Sequence, residues 1–156
     1  MSTQALVQEL KSTKAFFDRS TACLTEADSE FAPVDGVFTA AQHAAHVAQT
    51  IDWFLEGAFR PEGFDMDFET HIAAVKAVTS LTKAREWVDR AFAQAVEVIG
   101  SKSMEEMMEP LPEGPVMGGA PRMAIVTGIV DHTAHHRGAL TVYSRLRGHE
   151  PAMPYM

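Results

Sequence analysis

Five of the seven histidines in this 156-residue sequence fall into two groups. His43 and His46 form the first group, and His132, His135 and His136 form the second. Neutral imidazole is the commonest metal ligand among side chains. Residues four positions apart project from the same side of a helix, one turn removed. His132 and His136 can therefore present two imidazoles to one ion, and His46, from a facing helix, can supply the third.

The spacing alone leaves the choice within each group open. His43 and His46 are three positions apart, so both can face the interior, and by the same reasoning His135 can replace His136. The sequence around His46 and around His132 is rich in alanine, valine and isoleucine. Unpaired imidazoles are costly to bury in such surroundings, and this favours a metal site over incidental pairs.

Three neutral imidazoles leave coordination positions free for water or substrate, which is the arrangement of catalytic rather than structural metal sites. Such a site suits zinc, nickel or iron(II), and the sequence does not choose among these divalent metals. Cys23 is the only cysteine, so a cysteine-rich structural site is excluded. No general acid or base is identifiable from the sequence, and the catalytic residues remain unknown.

Composition predicts a single globular domain over residues 1–156. Hydrophobic residues make up 46% and charged residues 22% of the chain. The net charge of −8, with no basic stripe, argues against nucleic acid and against a membrane surface as partners. A lone cysteine and the lack of an apolar signal segment favour the cytoplasm.

Apolar residues recur mostly at three- and four-residue steps, which is typical of amphipathic helices. The fold we predict is all-α: a four-helix bundle with a crossover connection between its second and third helices. Gly138, and Gly128 before it, are expected to allow close helix packing. The predicted segments are a first helix from Ser2 or Thr3 to near Glu26, a second from Thr39 to about Phe59, a short helix from Glu69 to Ala77, a third from Thr82 to Ile99, a loop over 101–120, and a fourth from Pro121 to Gly148.

Three segments resemble one known family, the DinB (damage-inducible) superfamily. DHTAHHRG at 131–138 resembles its last-helix signature His-x-x-x-His-Arg-Gly, and FTAAQHAAHV at 38–47 resembles the start of its second helix. RLRGHEP at 145–151 resembles the family's close after the last helix. The sequence departs from the pattern at Ala139, where many members have glutamine.

The resemblance implies a four-helix bundle with a crossover after the second helix, usually a homodimer, and a metal centre formed by His46, His132 and His136. Some DinB-like proteins are transferases that use low-molecular-weight thiols, and others resemble hydrolases. The expected function is therefore a metal-dependent thiol S-transferase or hydrolase that acts on a small molecule. The alternatives are a non-enzymatic metal-binding or stress-related dimer, and a helical interaction domain with incidental histidines.

Overall fold

The computed structural model describes residues 2–156 as an assembly of helices. Four of them are long and two are short, and single turns of 3-10 helix lie at Glu26–Asp28 and Met117–Gly119. Within residues 2–156 the one β-type pairing is a bridge between Pro110 and Pro121. The helices are α1 (Gln4–Thr21), α2 (Ala40–Phe59), α3 (Phe68–Lys76), α4 (Leu81–Ser101), α5 (Met104–Met108) and α6 (Ala124–Leu146).

The links between helices confirm the predicted crossover. The backbone N–H of Ala41, at the start of α2, donates to the Ser29 carbonyl at 3.0 Å, and that of Leu81, at the start of α4, donates to the Ser29 hydroxyl at 2.8 Å. Both helices therefore begin at the same end of the bundle and run parallel. The link between them, which contains α3, must return along the bundle, and Gln42 Nε2 donates to the carbonyl of Lys76 where it arrives.

The four long helices form the bundle predicted from the sequence. Helix α1 packs against α4 and α6, and α2 packs against the same two helices. Helix α6 runs antiparallel to α2, because Tyr143 near its end bonds to Phe38, just before α2 begins, whereas Gly128 near its start faces Phe54. The buried apolar side chains of all four helices belong to one hydrophobic core.

The two glycines of α6 differ in their surroundings. A methyl group at Gly128 would lie 2.7 Å from both Phe54 Cζ and Met117 Cε, so this glycine permits close packing, as predicted. A methyl group at Gly138 would meet no atom within 4 Å. The prediction that Gly138 allows close helix packing is therefore wrong within this chain.

Two helix boundaries differ from the prediction because backbone groups have other partners. Helix α1 ends at Thr21 rather than near Glu26, since Thr25 is extended and caps the following 3-10 turn. Helix α6 begins at Ala124 rather than Pro121, since the N–H of Arg122 and that of Met123 donate to carbonyls in and after α5. That short helix was predicted as loop.

The end of the chain is attached to the bundle through Asp28, in a cluster that we name the Asp28 clamp (Thr25, Asp28, Arg147 and His149). Asp28 is only 2% exposed. Its carboxylate oxygens lie 2.9 Å from Arg147 Nε, His149 Nε2 and the backbone N of Thr25. Gly148 adopts a φ of +79°, and this left-handed conformation turns the chain so that His149 reaches the acid.

The clamp leaves Asp28 ionised despite its burial. Burial raises the pKa of an acid, but the hydrogen bonds from the Thr25 backbone, Arg147 and His149 outweigh that effect and lower the pKa of Asp28 to about 2.

None of the helices in residues 2–156 combines the length and apolar character that crossing a membrane requires.

Candidate metal centre

The start of α2 is fixed by a reciprocal pair of hydrogen bonds. Gln42 N donates to Thr39 Oγ1 at 3.2 Å, and Thr39 N donates to Gln42 Oε1 at 3.0 Å, which is the arrangement of a capping box. This sets the rotation of the first turns of α2. His46 consequently faces α6, which runs antiparallel beside it.

Helix α6 places His132 and His136 opposite His46, and we call these three residues the histidine centre. The Nε2 atom of His132 lies 3.3 Å from Nε2 of His46 and 3.2 Å from Nε2 of His136. One ring nitrogen from each residue lies within 4.8 Å of the other two. The prediction that imidazoles from two helices converge on one point is confirmed.

These distances fit ligands of a single transition-metal ion. Two nitrogens bound to zinc at about 2.0–2.1 Å with a tetrahedral angle lie about 3.3 Å apart. The donor set, three imidazole nitrogens, suits zinc, nickel and iron. The three histidines could therefore hold a metal ion.

Burial keeps the imidazoles of this region uncharged. His136 is 6% exposed, and burial together with the neighbouring His132, His46, His43 and His135 lowers its pKa to about 2. Burial first, and neighbouring imidazoles second, lower the pKa of His132 to about 4, and burial also lowers that of His46. Neutral imidazole is the form that binds metal, so the site is prepared for an ion at neutral pH.

The Thr50 hydroxyl and the Nδ1 atom of His46 have few hydrogen-bond partners. Thr50, one turn after His46 on α2, has its hydroxyl 3.4 Å from His132 Nε2. The Nδ1 atom of His46 is buried and has no hydrogen-bond partner among the described residues. The ring of Phe38 packs against His46 with centroids 5.2 Å apart and closes one side of the centre.

His43 lies beside the histidine centre but contacts it only through the outer nitrogen, Nδ1, of His136. Its Nδ1 is 2.8 Å from Nδ1 of His136, on the side of that ring away from His132. Its Nε2 is 3.2 Å from the Tyr143 hydroxyl. Burial and nearby imidazoles lower the pKa of His43 to about 4. The sequence left its role open, and the structure makes it a neighbour of His136.

His135 is exposed, so it does not replace His136 in the interior.

Sequence reasoning missed Thr50 and Tyr143 as neighbours of the centre. Helical spacing could have indicated both: Thr50 lies four residues after His46, and Tyr143 lies seven after His136.

An all-helical bundle with imidazoles from two antiparallel helices around one point defines a class of protein, the helical bundle with a candidate internal metal centre. The sequence model of the DinB family matches residues 1–156. The chain therefore belongs to the DinB family, as its motifs indicated.

Solved structures share the fold at low sequence identity. A DinB-like protein from Bacillus cereus ATCC 10987 is 22% identical, with a TM-score of 0.65, over 98% of this chain and 93% of that one. A protein from Streptococcus pneumoniae is 14% identical, with a TM-score of 0.69, over 95% of this chain and 91% of that one. A comparison with curated proteins finds no match.

A third similar structure corrects one prediction. The colibactin self-resistance protein ClbS, crystallised in complex with dsDNA, is 14% identical with a TM-score of 0.70, over 92% of this chain and 96% of that one. The prediction that nucleic acid is excluded as a partner is contradicted by this finding. It was inferred from the net charge and from the lack of a basic stripe in the sequence. The net charge is a sum over the whole surface, and the order of residues along the chain does not show which charges share one face of the folded protein.

Proposed function

We propose that this protein is a metal-dependent enzyme in which His46, His132 and His136 bind one divalent transition metal, zinc, nickel or iron. Its substrate is a small molecule, and its reaction is a thiol S-transfer, with a low-molecular-weight thiol as co-substrate, or a hydrolysis. The observation that carries this proposal is the spacing of the three Nε2 atoms, 3.3 and 3.2 Å, across two helices.

The arrangement of donors supports a catalytic rather than a structural site. Three protein ligands leave at least one position open, whereas structural zinc sites are closed by four. When bound, such an ion polarises a substrate or lowers the pKa of a water or thiol. The chain itself contributes the Thr50 hydroxyl, which lies beside His132 and can orient a polar substrate atom.

The decisive experiment is elemental analysis of protein purified without a histidine tag. We expect about one metal per chain in the wild type and none in His132→Ala, because two imidazoles hold an ion too weakly to survive purification. The matched control is His135→Ala, which removes an exposed imidazole from the same helix turn. Equal metal content in His132→Ala and the wild type would overturn the proposal.

Turnover separates the enzyme from a non-enzymatic metal-binding or stress-related dimer. Purified protein is assayed with a panel of electrophiles plus small thiols, and with ester and amide substrates. An enzyme shows turnover that is absent in His132→Ala and unchanged in His135→Ala. Stoichiometric metal with no turnover on any class would favour the binding module.

A homodimer is the assembly we propose. Gly138, Val142 and Leu146 are spaced four residues apart on α6, and all three are exposed, the last two by 54% and 58%. An exposed apolar stripe at this spacing suits contact with a second copy. Light scattering should give twice the chain mass for the wild type and the chain mass for Leu146→Glu.

The single domain and the cytoplasmic location remain predictions.

DNA belongs among the candidates to be measured, because ClbS was crystallised with dsDNA. Arg137 and Arg145 line one surface cleft of this chain, beside residues 150–154. Fluorescence anisotropy with labelled dsDNA at two salt concentrations tests this directly. Binding that weakens with salt and in Arg145→Glu would add DNA to the partners of the protein.

A further inference from the structure

The side chains of His43 and Tyr143 connect the histidine centre to a backbone carbonyl through a chain of hydrogen bonds. Tyr143 Oη lies 2.7 Å from the carbonyl oxygen of Phe38 and 3.2 Å from His43 Nε2. His43 Nδ1 in turn lies 2.8 Å from His136 Nδ1. We name these contacts the His43 relay (His136, His43, Tyr143 and Phe38).

The carbonyl at one end determines where every proton in the relay lies. A carbonyl oxygen only accepts, so the Tyr143 hydroxyl donates its proton to Phe38. The Tyr143 oxygen is then left to accept from His43, whose Nε2 must carry a hydrogen. A neutral His43 with that hydrogen has a bare Nδ1, which accepts from Nδ1–H of His136.

The same logic fixes the metal-facing nitrogen of His136. A neutral imidazole carries one hydrogen, and with that hydrogen on Nδ1 the Nε2 atom keeps its lone pair free. Nε2 is the atom that lies 3.2 Å from His132 Nε2 in the histidine centre. The relay therefore holds His136 in the tautomer that can bind a metal.

A doubly protonated His43 is the other arrangement that the distances would allow. It would reverse the proton between the two Nδ1 atoms and put a hydrogen on the metal-facing Nε2 of His136. It would also bring a buried positive charge next to a divalent cation. The hydrogen-bond partners of His43 among the described residues, His136 and Tyr143, include no carboxylate to offset that charge.

We infer that His43 is a positioning residue, which orients His136 and fixes its tautomer through Tyr143 and the Phe38 carbonyl while not binding the metal itself. The inference rests on the proposed metal centre. In many metal sites a carboxylate or carbonyl accepts the second N–H of a ligand histidine. Here the His43 imidazole accepts the N–H of His136, and the Tyr143 hydroxyl links His43 to the Phe38 carbonyl.

The first test measures metal affinity by competition with a chromogenic chelator, using Zn²⁺ and the untagged protein. We expect His43→Leu to weaken binding by about 10- to 100-fold while the stoichiometry stays at one ion per chain. His43→Gln should recover most of the loss, because an amide can accept from His136 and donate to Tyr143. His135→Ala is the matched control and should bind as the wild type does.

Tyr143→Phe tests the far end of the relay with little change in shape. It removes the acceptor for His43 Nε2–H, and we expect a weaker effect than that of His43→Leu, about 3- to 10-fold. Unchanged affinity in both His43→Leu and Tyr143→Phe would overturn the inference. Complete loss of the ion in His43→Leu, as in His136→Ala, would also overturn it by making His43 a ligand.

Nitrogen-15 NMR of the histidine rings reads the tautomers directly and needs no activity. In the zinc-loaded protein we expect hydrogen on Nδ1 of His136 and on Nε2 of His43. We expect no hydrogen on Nε2 of His136 or on Nδ1 of His43. Hydrogen on Nδ1 of His43 would overturn the relay. If the wild type binds no zinc, the proposed function fails, whereas the same spectra of the metal-free protein still decide whether the relay exists.

Discussion

The Asp28 clamp and the histidine centre both bury polar atoms in the half of the bundle where α2 begins and α6 ends. In the clamp, Asp28 is 2% exposed and both carboxylate oxygens have partners at 2.9 Å. In the centre, the Nε2 atoms of His46, His132 and His136 face one another, and His46 Nδ1 has no partner among the described residues.

The difference indicates that the Asp28 clamp stabilises the fold, whereas the fold positions the histidine centre for a function. Burial is tolerated in the clamp because hydrogen bonds favour the charged acid, and its pKa falls to about 2. Burial in the centre opposes the charged form of the imidazoles, and no carboxylate offsets this effect at His132 or His136. The rings therefore stay neutral, and a cation is the natural partner of their lone pairs. Poor local satisfaction of this kind is expected where a site serves function.

The largest effect should come from supplying that cation. Adding Zn²⁺ at a thousand times its Kd should raise the free energy of unfolding by about 4 kcal/mol, because the ion binds the folded state alone. Urea denaturation with and without zinc measures the gain. The gain should vanish in His132→Ala and persist in Asp28→Asn; equal gains in wild type and His132→Ala would remove the distinction between the two regions.

The next largest effect should come from the clamp. Asp28→Asn keeps the shape but removes the charge that binds Arg147 and His149, and should lower the free energy of unfolding by about 3 kcal/mol. Urea denaturation of the metal-free protein measures the loss, with Asp131→Asn, an exposed acid of α6, as the control. A loss below about 1 kcal/mol would show that the clamp is not a stabilising element.

Mild acid should affect the buried histidines His43, His132 and His136 before it affects the Asp28 clamp. The pKa of His43 and of His132 is about 4, and that of His136 about 2, so these rings stay neutral in the folded protein while the unfolded chain takes up protons near pH 6.5. Stability is therefore highest above that pH and falls as the pH decreases, by about 2 kcal/mol between pH 7 and 6 for three rings. The contribution of Asp28 is fully present above pH 3.8 and is lost only as the pH falls towards 2.

Unfolding curves of the metal-free protein at pH 7 and pH 6 measure this dependence. His136→Leu should reduce the fall in stability, and His135→Leu, which replaces an exposed ring, should reduce it less. A fall of the same size in His136→Leu and the wild type would mean that the buried rings do not account for it.

The smallest effect should follow replacement of a ring that has an unpaired atom. His46→Leu is of similar size and removes the buried Nδ1 that lacks a partner, so the metal-free stability should change by less than about 1 kcal/mol. The same urea experiment measures it, and the stabilisation by zinc should be lost. A penalty as large as that of Asp28→Asn would show that the centre stabilises the fold without an ion.

The parts of this molecule that depend on local spacing could be predicted from the sequence. The period of the apolar residues indicated the four long helices, and Thr39 was correctly predicted as the start of the second helix, where it caps α2. The four-residue step from His132 to His136 indicated that both rings share one face of α6. These features are determined within one or two helical turns.

Contacts between distant segments could not be predicted in the same way. The Asp28 clamp joins residues 119 and 121 positions apart, and no periodicity connects them. The early end of α1 follows from that cluster, because Asp28 accepts from Thr25. Whether His43 binds metal or supports His136 depends on which ring nitrogen faces which neighbour, and spacing does not carry that information.

The order in which the chain is synthesised gives the antiparallel pairing of α2 and α6 a temporal consequence. His46 leaves the ribosome 86 residues before His132. At about 5–20 residues per second this is a delay of about 4 to 17 s, during which a growing chain offers one imidazole of the three. An ion held by all three imidazoles would therefore bind late in biosynthesis, after α1, α2 and α4 have been made.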